Sequence, residues 1–135
     1  MIVFLALAIV FGILILVLIS RLGHKVPAYH LNKKHFQRKW AELLNLVKTS
    51  EGMILAIIDA DKLMDEALRR RHLKGATMGE RLVAAQHMLS DNDAVWFAHK
   101  LRNKLVHETD VKVRQKDAIN ALEGVKQGLK DLGAL

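Results

Sequence analysis

Residues 96–108 read WFAHKLRNKLVHE. Ala94, Phe97, Leu101 and Leu105 recur at spacings of three and four, so this stretch predicts an amphipathic helix with one face turned to a core. Its polar residues are ordered as well. At about 100° per residue, His99, Asn103 and His107 share a stripe, and Arg102 lies about 60° to one side of His99. One helix end therefore carries a permanently charged guanidinium, a carboxamide and imidazoles able to titrate near neutral pH.

Working outward, the composition favours helices: one Pro and 5% aromatic residues accompany many Leu, Ala, Lys and Glu. The absence of Cys excludes disulfides, thiolate metal sites and a thiol nucleophile together. The net charge of +7 is concentrated. Arg21, Lys25, Lys33, Lys34, Arg38 and Lys39 fall within residues 21–40 without an acid among them, leaving the rest of the chain nearly neutral. That placement points to anionic lipid head groups before RNA.

Residues 2–19 form an unbroken apolar run, long enough as a helix to cross a bilayer. No basic start or small-residue cleavage site marks it as a secretory signal. The expectation is an uncleaved single-pass anchor over residues 1–22, with its amino terminus outside and the bulk of the chain in the cytoplasm by the positive-inside rule. Residues 23–32 are a basic tether, and Arg21, Lys25, Lys33 and Lys34 are its membrane-surface residues. His24, His30 and His35 are spaced by six and five, off a common helix face and without an acidic ligand, so no metal site is expected there.

From residue 33 to 135 the pattern predicts a four- to five-helix up-and-down bundle. Phe36, Trp40, Leu43 or Leu44 and Val47 step along a first helix, and Ile54, Ile57, Ile58, Met64 and Leu68 along a second. Asp61 falls within about 20° of Ile54 on that second apolar face. A carboxylate so placed needs a partner unless it reaches water at the edge. Arg102 is the leading candidate, with His107 or a backbone donor next.

Arg69, Arg70 and Arg71 close this helix, where cations suit the dipole. Thr77 and Glu80 have capping-box spacing, opening a third helix with Met78, Leu82, Ala85 and Leu89 on one face. Residues 90–93, SDND, precede the fourth helix. Thr109 and Asp110 read as the start of a last helix carrying Ile119, Leu122, Val125, Leu129 and Leu132, with Gly124 and Gly128 read as packing residues or a weak dimerisation signal. No glycine-rich phosphate loop, zinc-protease spacing or internal repeat is present.

Arg102-Asn103 followed by His107, within AHKLRNKLVHE, resembles the arginine, four to six residues, histidine motif of the HEPN superfamily. Arg81 and His87 fit the bare spacing too, but lack the adjacent Asn and the late position in a helical chain. The resemblance, over roughly residues 35–132, implies an all-helical domain that pairs as a homodimer with two copies of the motif face to face. In catalytic members that pair is a metal-independent ribonuclease.

It then implies Arg102, Asn103 and His107 as catalytic residues, with Asp61 and His99 supporting them, RNA as substrate and no cofactor. His107 would remove or deliver a proton during attack by the neighbouring 2′-hydroxyl, Arg102 would stabilise charge on the phosphate, and Asn103 would orient the ribose or phosphate. The alternative is a non-catalytic, membrane-tethered helical module that binds a cytoplasmic partner, which the nearly neutral bundle favours.

Overall fold

The computed structural model describes residue 4, residues 10–17 and residues 30–135. In the latter segment the chain forms α1 (Lys33–Leu44), α2 (Ser50–Arg70), α3 (Met78–Ala85), α4 (Asn92–His107) and α5 (Gln115–Asp131). The expected all-α bundle is therefore present, with no strand among the described residues.

The expected membrane anchor is not supported: no helix among the described residues is long and apolar enough to cross a membrane. Within the run 2–19 the described residues, Phe4 and residues 10–17, are helical. The remainder of that run and most of the expected tether lie outside the described residues, as do Arg21 and Lys25. Single-pass topology and the outside amino terminus fall with the anchor. Lys33 reaches across the bundle, its Nζ donating to the Leu135 carbonyl at 3.4 Å.

Local chemistry starts each of the first four helices. The side chains of Asn32, Thr49, Thr77 and Asp91 accept from the backbone N–H three residues on, and Thr77 with Glu80 completes the expected capping box. Ser50 is thus the first residue of α2, not its cap. Gly52 is obligatory, because a Cβ there would strike the Leu46 carbonyl where the chain folds back onto the helix start. The start expected at Thr109 and Asp110 does not form. Asp110 takes a left-handed φ of 59°, and α5 begins at Gln115 without a side-chain cap.

α2 lies at the centre and packs against the other four helices, while α4 and α5 form the closest pair. The core runs from Phe36 and Trp40 through Ile57, Met64 and Leu68 to Leu82, Val95, Leu129 and Leu132, all buried. Ile54 and Ile58 remain partly exposed. The inward face of α4 also differs from the periodic reading: Val95 and Ala98 are its buried residues, and Phe97 is 40% exposed.

Gly124 and Gly128 serve packing within the chain. A Cβ on Gly124 would lie 2.7 Å from the Ala94 carbonyl oxygen, whereas one on Gly128 would meet the flexible Met64 Cε at 2.9 Å and Val95 Cγ2 at 3.0 Å. At the far end of α5, Asp131 ties down the α3–α4 connection. Burial pushes its carboxyl up, but bonds from Ser90 N–H, Ser90 Oγ–H and the Gln127 amide outweigh that and hold it below its ordinary value.

Two outcomes follow for the full chain in urea unfolding. Gly124→Ala loses about 1–3 kcal/mol, because its neighbour is backbone, while Gly128→Ala stays within about 1 kcal/mol of native as Met64 yields and helix propensity improves. A carboxyl lowered on folding stabilises above its unfolded pKa, about 3.9, and that stabilisation is lost as pH falls through the folded value. Asp131→Asn therefore flattens the acid limb of stability; an unchanged slope below pH 4 would contradict this role for Asp131.

Candidate functional site

Asp61 sits midway along α2, and only 3% of the residue is exposed. Facing it from α4 are His99 and Arg102, one helical turn apart. His99 Nδ1 lies 2.9 Å from Asp61 Oδ1, and Arg102 Nε lies 3.4 Å from Asp61 Oδ2. The nearer partner is thus the imidazole. Arg102 Nε is buried and close enough for an ion pair, but its geometry does not make a hydrogen bond.

Asn103 closes the arrangement into a ring. Its Oδ1 accepts from Arg102 Nη1 at 2.9 Å, and its Nδ2 lies 3.3 Å from His99 Nε2. Asp61, His99, Asn103 and Arg102 therefore form a continuous circuit, with the Trp96 ring standing edge-on to His99 at 5.9 Å between centroids. Trp96 was not among the sequence candidates, although its place three residues before His99 puts it on the same side of the helix.

The circuit leaves part of Arg102 available. Its side chain is 27% exposed, and Nη2 makes no hydrogen bond with a described residue. A guanidinium held at Nε and Nη1 and partly open to solvent can receive a phosphate or carboxylate oxygen.

His107 lies elsewhere. As the last residue of α4 it is exposed, and its imidazole makes no hydrogen bond or ion pair with a described residue. By helical geometry it lies about 140° around the axis from Arg102 and about 7.5 Å along it. Within one chain the ring gathers Asp61, His99, Arg102 and Asn103, and His107 stands apart from it.

Arg81, which shares the bare motif spacing with His87, meets a different fate. Its Nε and Nη2 both reach Asp65 Oδ1, at 2.8 and 2.7 Å, and its Nη1 donates to the Gly75 carbonyl at 2.8 Å. Only 8% of its side chain is exposed. All three guanidinium nitrogens are spent on fixing α3 and the preceding turn to α2. A third tie joins α1 to α2 through His35 Nε2 and Glu66 Oε1, 2.9 Å apart.

No family model, curated protein or solved structure matches this chain.

The contrast between the two arginines can be measured. Removing Arg81 strands the largely buried Asp65, which keeps only the exposed Arg69, and should cost about 2–4 kcal/mol. Arg102→Ala leaves Asp61 with its His99 bond and should cost about 1–2 kcal/mol. Equal losses in chemical denaturation would mean that Arg102 is as much a structural strut as Arg81.

Proposed function

We propose that this chain is a HEPN-like domain acting as a homodimeric, metal-independent endoribonuclease. The observation that carries the reading is Arg102, whose Nε is ion-paired with the buried Asp61 and whose Nη1 donates to Asn103, while its side chain stays 27% exposed and Nη2 makes no hydrogen bond among the described residues. Such a group is pre-organised to accept charge developing on a phosphate, which is where a guanidinium lowers a barrier most. His107, exposed at the end of the same helix, is the general acid or base.

The angle between Arg102 and His107 on one helix supports a site shared between two copies. A two-fold axis beside the end of α4 would bring one protomer's His107 towards its partner's Arg102, with no further sequence required. In that site His107 takes the proton from the 2′-hydroxyl, or delivers one to the departing 5′-oxygen, and Arg102 stabilises the phosphorane-like charge. The remaining contact with Asp61 keeps Arg102 from drifting with the substrate.

A second reading, a non-catalytic module that binds a protein partner, is favoured by a different feature. Trp40, Leu44, Val47, Met53, Ile119 and Leu122 line a largely apolar groove of about 300 Å³ between α1 and α5, away from the ring.

The nuclease is tested with the purified full chain and a single-stranded RNA in the presence of a chelator. Cleavage should fall at least about 100-fold in Arg102→Ala and in His107→Ala, and mixing the two inactive variants should restore part of it because a heterodimer retains one complete set. Equal RNA decay in native and variant chains would exclude the nuclease. Loss in both variants without recovery on mixing would place the whole site in one protomer.

A further inference from the structure

The ring around Asp61 contains more information than its distances. Arg102 Nη1 can only donate, so the Asn103 atom 2.9 Å away has to be the carbonyl oxygen. This fixes the amide. Its nitrogen then faces His99 Nε2 at 3.3 Å, and since that nitrogen also only donates, Nε2 must be the unprotonated one. The single imidazole proton is thereby placed on Nδ1, where it is donated to Asp61 Oδ1 at 2.9 Å. A neutral, Nδ1-protonated His99 lets the imidazole, the amide and Arg102 Nη1 each keep a complementary partner.

A second proton on His99 breaks that agreement. Nε2–H would oppose the Asn103 NH2 group, two donors face to face. Rotating the amide by 180° repairs the contact with His99 but turns the NH2 towards Arg102 Nη1, which is again donor against donor. In either arrangement one bond of the ring is lost. The amide can satisfy the imidazolium or the guanidinium, and not both.

We infer that His99 is the positioning residue for Arg102, acting through the Asn103 amide, and that only its neutral form lets the amide serve the imidazole while still holding the guanidinium. The inference concerns regulation of the site proposed above and rests on that reading for its consequence in catalysis, while the coupling itself belongs to the fold. The charged groups around His99 are few. α2 presents Asp61 directly and Asp65 one turn further on, the latter engaged by Arg81 of α3 and by Arg69. α4 contributes Arg102, and α1 and α5 make no hydrogen bond or ion pair to the imidazole among the described residues.

Protonation of His99 should therefore loosen Arg102 without disturbing the apolar core. Asn103→Asp has the same shape and inverts the logic. A carboxylate accepts from Arg102 and from a protonated His99 together, so this variant favours the imidazolium and keeps the ring closed around it.

The test is long-range 1H–15N NMR of the histidine rings and of the Arg102 Nε–H in the full chain, which needs no RNA. At pH 7.5 the neutral His99 should carry its proton on Nδ1. As the pH is lowered, its second protonation and weakening or exchange of the Arg102 Nε–H signal should occur together. In Asn103→Asp the doubly protonated fraction of His99 at pH 7 should rise about tenfold, and the Arg102 signal should persist to lower pH.

A neutral His99 protonated on Nε2, or an Arg102 signal indifferent to His99 protonation, would overturn the inference. Linked signals in a chain that cuts no RNA would uphold the coupling and remove the nuclease instead.

Discussion

A carboxylate in the middle of the central helix is the constraint on which the arrangement turns. Asp61 is almost wholly removed from water, and an unpaired charge in such a place costs several kcal/mol. His99 and Arg102 supply the compensation, so α4 has to lie where those two side chains reach α2. The next turn of α2 carries Asp65 and, further around the helix, Glu66, which engage Arg81 of α3 and His35 of α1. Three neighbouring helices are thus set around one helix by acids within six residues of one another.

The azimuth of α4 shows which force prevails. Turning the 40% exposed Phe97 fully inward would gain on the order of 1 kcal/mol of apolar burial. It would also swing Arg102 and His99 away from Asp61, leaving a buried charge without a partner. The electrostatic cost is the larger, so Phe97 stays partly in water and the small residues Val95 and Ala98 face the core. Small side chains have a second effect here. With Ala94 opposite Gly124, α4 and α5 approach closely enough that a methyl group at Gly124 would meet backbone.

The two arginines that share the same spacing to a histidine illustrate how burial separates roles. Arg81 is enclosed, its nitrogens all bonded to the protein. Arg102 is held at Nε and Nη1 and keeps a solvent-facing portion, which is the property a phosphate-binding group requires. Asn103 completes that difference by fixing one nitrogen of Arg102 from its own helix, without consuming the rest.

Much of the helical layout was legible in the chain itself. Capping residues and apolar periodicity act over three or four positions, so Thr77 with Glu80, the core of α3 and, apart from the 46% exposed Ile119, the buried side of α5 could be read directly. Asp61 was recognisable as a charge on an apolar face, but its first partner, His99, was not, because nothing local couples residues 38 positions apart.

The same limit explains the rest. Hydropathy over residues 2–19 reports composition and length, which did not translate into a spanning helix among the described residues. The inward face of α4, the use of Gly124 and Gly128 inside the chain, and the separation of His107 from the ring were decided by tertiary structure. Local sequence fixes which residues share a helix face; which face turns inward is settled only when distant charges must find one another out of water.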